Sequence, residues 1–177
     1  MLKKFLLTAL VILSAYGLAD KVSAEPKPKG YKLDPKAVAN NELLDKKFLK
    51  IYRQAIAQLV GGQFDAAISS AQSALRIRPN SGRLYALIGY AYKRKKDYSQ
   101  AISYFQQAVT RFTTPAELFE KASVLYNIAF CYELMNKSAQ AIAAWEIFIN
   151  LVSASPHHAA SLAFAKKRIQ DLKAVTK

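Results

Sequence analysis

Carboxylates, cysteine and histidine are all scarce in this chain, and each shortage removes a class of chemistry. Asp and Glu together number 12 against 26 Lys and Arg, a formal net charge of +14 over 177 residues. The carboxylates present form no close pair suited to general acid-base work. The single cysteine, Cys131, permits no intramolecular disulfide, so the folded part must be held by its core. The only two histidines, His157 and His158, are neighbours that splay apart on a helix, and no HExxH or CxxC spacing accompanies them. No glycine-rich phosphate loop or G-x-S-x-G elbow is present, and "VGGQF" reads as a short turn between helices. The sequence therefore points away from an enzyme, with no catalytic residue, metal or cofactor expected. Strand-like alternation is also missing after the first 34 residues, which makes the folded part all-α.

What is present begins with an export signal. "MLKK" is a positive n-region, "FLLTALVILSAYGLA" an apolar h-region and "VSA" at 22–24 a small-x-small cleavage site. The apolar run is shorter than the roughly 17 to 25 residues that span a bilayer, so residues 1–24 are expected to be removed after Ala24 rather than kept as an anchor. No cysteine follows the h-region to accept a lipid. The segment carries Lys3, Lys4, Lys21 and Asp20, a net +2, and leaves +12 of the +14 on the mature chain. An exported protein of that charge does not meet the chromosome or ribosomes, so its electrostatic partners are acidic proteins, anionic lipids or other envelope polyanions. The short h-region and its VSA site suggest a bacterial periplasm or cell envelope.

Residues 25–34 are a basic Pro/Lys-rich linker, and Asp34-Pro35 marks a helix start that opens a lead-in over 35–47. "NELLDKKFLK" either lengthens the first helix or precedes it as an extra turn. Beyond lies an internal repeat. "GGQFDAAISSAQSALRIRPNS", 61–81, aligns without a gap on "KKDYSQAISYFQQAVTRFTTP", 95–115, at a spacing of 34: Phe64 with Tyr98, Ala67 with Ala101, Ile68 with Ile102, Ala74 with Ala108. A third copy, "NKSAQAIAAWEIFINL", places Ala141, Ile142 and Trp145 in register after a six-residue insertion around "TTPAELFEK".

This pattern resembles the tetratricopeptide repeat family, with its W-x2-L-G-x2-Y, A-x3-F and P code. The unit 82–115 carries it best, through Tyr85, Ile88, Gly89, Tyr92, Ala101, Phe105 and Ala108. The unit 48–81 keeps Ala55, Ala67, Ala74 and Pro79 but has Gln54 and Gln58 at expected apolar and tyrosine positions. The third unit, within 116–155, has Phe148 where alanine is usual and lacks the closing proline. In 156–177, Ser155-Pro156 caps a last helix whose stripe of Leu162, Ala165, Ile169 and Leu172 faces the core, opposite Lys166, Lys167, Arg168 and Asp171. The resemblance implies a right-handed α-solenoid of about three repeats plus a C-terminal capping helix. It places Cys131 at a small packing position, as a buried inert thiol.

In this family the first helices of the repeats line a concave groove, and positions 2, 5, 9, 12 and 13 of each unit point into it. Among these positions Tyr52, Arg83, Tyr90, Lys93, Arg94, Tyr126, Phe130, Phe164 and Lys167 are the candidates for partner binding, and Asn127, next to position 5, joins them. Tyr90 and Phe130 are the leading groove candidates, whereas Tyr52 and Phe164 serve equally well as core. The carboxylate clamp of chaperone-binding members is not expected, since Tyr52 and Ile56 stand where its first pair belongs and only Asn127 is similar to it. Lys95 and Lys96 belong to a turn. The function implied is a non-enzymatic interaction scaffold that binds an acidic or amphipathic segment, peptide or helix, of an envelope or secretion-apparatus protein. Two alternatives stand beside it: a polyanion or membrane-surface binder that uses the arm Lys27, Lys29, Lys32 and Lys36 together with the basic helix ends, and a self-assembling scaffold.

Overall fold

The structure, a computed structural model, describes residues 35–175, with side chains from Asn40 onward. The signal segment and the linker 25–34 lie outside the described residues, as do Lys27, Lys29, Lys32 and the Lys36 side chain. Seven α-helices follow among the described residues: α1 Pro35–Val60, α2 Phe64–Leu75, α3 Gly82–Arg94, α4 Tyr98–Arg111, α5 Leu118–Leu134, α6 Ser138–Val152 and α7 Ala159–Val175. Single 3-10 turns at Pro115–Glu117 and Pro156–His158 precede α5 and α7. The chain divides into two units, Met1–Lys50 and Ile51–Lys177. The described residues of the first are helical throughout, and the lead-in runs unbroken into the first repeat as one 26-residue helix.

In the second unit each helix from α2 to α6 packs on the next in sequence, and α3 also touches α5. This nearest-neighbour order is that of a solenoid of helix pairs, α3 with α4 and α5 with α6, closed by the single helix α7. Small residues permit the close approach. A Cβ placed on Gly89 would lie 2.5 Å from the Phe105 ring, and one on Gly82 would lie 2.8 Å from Phe112. Ala101, Ala108, Ala141 and Ala165 are fully buried. Phe148, the departure from the repeat code, is core: its ring lies 5.9 Å from Trp145 and 5.7 Å from Tyr126.

The turns inside the repeats share one geometry. After α1, α3 and α5 the chain enters the left-handed region at Gly62 (φ 78°), Lys96 (φ 64°) and Asn136 (φ 56°). At each turn the left-handed residue donates to a carbonyl three back, and the next residue donates to a carbonyl five back: Gln63 to Gln58 at 2.8 Å, Asp97 to Tyr92 at 3.0 Å, Lys137 to Tyr132 at 2.9 Å. These bonds satisfy carbonyls that the helix end would leave unpaired, and the pair is the Schellman arrangement. Asp97 then caps α4 by accepting from the Gln100 amide at 3.1 Å. Lys95 and Lys96 thus lie in the turn, as the spacing suggests, and Lys95 pairs with Asp65 in the first turn of α2.

The insertion between the second and third repeats has its own stop and start. Glu117 Oε2 accepts from the Thr114 amide at 3.1 Å and from Thr114 Oγ1 at 2.9 Å, a capping box with Pro115 in the first turn. The added residues become the 3-10 turn and the beginning of α5. At the C-terminal end, Leu162, Ile169 and Leu172 pack on the core while Lys166 and Lys167 face solvent. Arg168 departs from that solvent face and is drawn inward by Glu133. Among the described residues no helix is long and apolar enough to cross a membrane.

Candidate functional site

The first helices of the repeats, α3 and α5, and the closing helix α7 form one layer, and two junctions join them. At the α3–α5 junction the contacts are polar. Arg83 donates to Glu120 Oε1 through Nε at 3.3 Å and Nη2 at 2.8 Å. The Tyr90 hydroxyl shares a hydrogen bond of 3.0 Å with Ser123 Oγ. Lys93 Nζ donates to Asn127 Oδ1 at 2.6 Å, and Asn127 Nδ2 in turn donates to the Ser123 carbonyl at 2.7 Å. The amide is therefore held with its oxygen toward the lysine.

Aromatic rings make the α5–α7 junction. Phe130 stacks on Phe164 with centroids 5.9 Å apart and planes at 17°, and Tyr126 lies 5.0 Å from Phe130 and 6.0 Å from Phe164. Trp145, fully buried below them, meets Tyr126 edge-on at 5.0 Å and Phe130 at 5.5 Å. Edge-on and offset pairs of this kind suit the ring quadrupoles and fix the cluster's geometry. Glu133 closes the end of the junction: it accepts from Trp145 Nε1 at 2.6 Å and binds the Arg168 guanidinium, with Nε at 3.3 Å. The top of the cluster remains open, since Phe164 is 38% exposed and Tyr126 and Phe130 are half-buried.

Of the ten residues marked in the sequence, seven come together at these junctions: Arg83, Tyr90, Lys93, Tyr126, Asn127, Phe130 and Phe164. Tyr52 is core, at 9% exposure. Arg94 sits over the Phe64 ring at 5.3 Å, on the turn edge, and Lys167 is exposed on α7. Tyr90 and Phe164 exchange the emphasis placed on them, for Tyr90 spends its hydroxyl on the junction and packs edge-on against Phe105 at 5.0 Å, while Phe164 is open to solvent.

Sequence reading places Ser123, Glu133 and Arg168 at groove positions but misses Glu120 and the pairing of all four across the junctions. Their signal is complementary residue types one repeat apart: the bonded pairs Arg83–Glu120, Tyr90–Ser123, Lys93–Asn127 and Glu133–Arg168 are separated by 37, 33, 34 and 35 residues.

The electrostatics follow from burial. It pushes the Tyr90 phenol up, with Ser123 opposing, and it pushes the Tyr126 phenol up with help from Glu133. The Lys93 ammonium is pushed below the usual lysine range by burial. The Cys131 thiol, fully buried, is pushed up to about 11 by burial, with Lys93 opposing, so it is protonated and unreactive at neutral pH. His158 is buried against Phe119 at 5.9 Å and shares a hydrogen bond of 2.9 Å with Ser155. Among the described residues no group of three or more His, Cys, Asp or Glu could hold a metal. The site presents rings, an amide and three half-buried cations, two of them paired with carboxylates, which is chemistry for recognition.

Known proteins share this architecture. Residues 82–112 and 123–155 each match a tetratricopeptide repeat family. The type III secretion translocator chaperone SycD of Yersinia enterocolitica is similar in structure, with a TM-score of 0.68 at 14% identity, over 82% of this chain and 97% of that one. SycD in complex with a peptide of the translocator YopD matches with a TM-score of 0.65 at 14% identity, over 75% and 96%. PcrH, known from Pseudomonas aeruginosa, in complex with the chaperone-binding region of PopD, matches with a TM-score of 0.65 at 16% identity, over 75% and 96%. No curated protein sequence matches the chain significantly. At these identities the likeness is one of fold. Residues 82–112 and 123–155 are tetratricopeptide repeats, and the all-α solenoid built on them is the fold this chain shares with those chaperones.

Proposed function

We propose that this protein is a non-enzymatic scaffold that holds a segment of another protein across the layer formed by α3, α5 and α7. The observation that carries this reading is the open ring cluster of Tyr126, Phe130 and Phe164 over a buried Trp145. Rigid aromatic anchors of this kind supply most of the energy in protein recognition, because they bury large area at small cost in side-chain freedom. The fold shared with chaperones seen in complex with a translocator peptide and a chaperone-binding region supports it.

The signal-like residues 1–24 set the compartment in this reading. The protein is exported to the periplasm or cell envelope of a bacterium after cleavage at Ala24, and its partner is an envelope or secretion-apparatus protein. The scaffold is tested by placing a photo-crosslinking amino acid at position 130 or 164, and separately at exposed Gln106 on α4, in cells that make the protein. One partner should crosslink from 130 and 164 and not from 106. Equal crosslinking from all three positions contradicts the reading, and loss of all crosslinks at raised salt assigns the contact to general charge attraction instead.

A further inference from the structure

We propose that the partner segment carries an acidic side chain that docks on Lys93, beside the aromatic cluster, and that this lysine selects among partners. The inference rests on the groove reading above and names the chemistry of its ligand.

Three cations bond across the junctions of the helix layer, and they are not equivalent. Arg83 holds Glu120 and Arg168 holds Glu133, so each has a carboxylate within the chain. Lys93 has only the neutral Asn127 oxygen and the face of Phe130, 5.8 Å from its Nζ. Glu120 and Glu133 are the only carboxylates on α5, and α3 has none. Among the described residues none forms an ion pair with Lys93. Cys131 is the one charge-bearing group that would favour the lysine's ammonium, and its thiol stays neutral at physiological pH.

A half-buried ammonium with a neutral partner has lost hydration without gaining a counter-charge. Nζ carries three N–H donors, of which Asn127 takes one. Asn127 is itself fixed by the Ser123 carbonyl, so the lysine is held in place before a ligand arrives. A carboxylate delivered there would supply the missing charge, and the Phe130 ring beneath would exclude water from the pair. This differs from capture of a chain terminus, since one cation on one side of a groove suits an internal Asp or Glu. The exposed Lys166 and Lys167 remain fully hydrated and lack this bias.

The test starts from twelve-residue peptides selected on the full chain from a random display library. The strongest binder is synthesised twice, once as selected and once with each Asp or Glu replaced by Asn or Gln. Affinities are measured by fluorescence anisotropy for the wild type, Lys93→Met, Lys93→Arg and Phe130→Ala. The expected result is that the wild type prefers the acidic peptide by about tenfold, that Lys93→Met abolishes the preference, and that Lys93→Arg keeps part of it. The assignment is overturned if acidic and amide peptides bind the wild type equally, or if Lys93→Met keeps the full preference. In those cases a loss of binding in Phe130→Ala leaves the groove reading standing. Failure to select any peptide, or selection of peptides indifferent to Phe130→Ala, removes the groove reading and the Lys93 assignment with it.

Discussion

The two junctions in the helix layer occupy the same register of the repeat and are built from opposite chemistry. Between α3 and α5 the bridging groups are a guanidinium with a carboxylate, two hydroxyls, and an ammonium with an amide. Between α5 and α7 they are three rings laid over Trp145 of α6, with polar contact confined to one end. The repeat period decides where successive helices meet, and the side chains placed there decide what the meeting can do. Hydrogen bonds and ion pairs set the angle and register at the first junction but contribute little free energy, because both partners were hydrated before folding. The ring junction carries most of the apolar burial and leaves enough of it open to receive a partner.

The comparison is broken most severely by Trp145→Ala. That change removes the floor of the ring junction and should cost about 3 to 5 kcal/mol in urea unfolding. An equal cost from Tyr90→Phe, which deletes one hydrogen bond at the polar junction, would refute the unequal division. Next in size is a pH effect at α5, the helix common to both junctions. Cys131 moves from an ordinary 9.0 to about 11 on folding. Above pH 9 the unfolded chain loses the thiol proton while the folded one retains it, so stability falls as pH rises from 9 toward 11. The loss is on the order of 2 kcal/mol. Cys131→Ala should flatten the start of that fall, while Tyr90 and Tyr126, whose phenols are also pushed up from 10.0, add to the loss from about pH 10 upward.

Smaller differences sharpen the contrast. Glu133→Gln should cost about 1 to 3 kcal/mol, because Glu133 is nearly buried and serves both Trp145 and Arg168. Arg83→Gln should cost less, since Arg83 is partly exposed and ion pairs near solvent contribute little. Thermal unfolding of the two variants side by side reads the order. The smallest effect is a gain. Lys96 adopts the left-handed conformation that Gly62 holds at the equivalent turn, and a Cβ is disfavoured there. Lys96→Gly should stabilise by up to about 1 kcal/mol, or leave stability unchanged if the added freedom of the unfolded chain offsets the relief.

Much of this arrangement is legible in the sequence because packing codes are local. The 34-residue period, Gly89 opposite Phe105, the turn at Lys95 and Lys96 and the buried Cys131 all depend on contacts within one helix pair. The cross-junction partners are harder, since their separations vary from 33 to 37 residues. The insertion before α5 adds a 3-10 turn and shifts the axial match between helices, so no single spacing finds Glu120 from Arg83 and Asn127 from Lys93. Tyr52 and Phe164 were open between groove and core for a related reason. Both are aromatics at groove positions, and only the packing around each puts Tyr52 inside and leaves Phe164 at 38% exposure. The bond between Arg168 and Glu133 is hidden from the sequence in the same way, since the two lie 35 residues apart.

The central claim is that a partner segment lies on the α3–α5–α7 layer. Amide chemical shifts of the isotope-labelled protein, followed while a selected peptide is added, test it most directly. The account predicts shifts concentrated at Lys93, Tyr126, Asn127, Phe130 and Phe164, with α4 positions such as Gln106 unmoved. Shifts centred on α4 and α6, or spread over every exposed lysine and lost at raised salt, would contradict it.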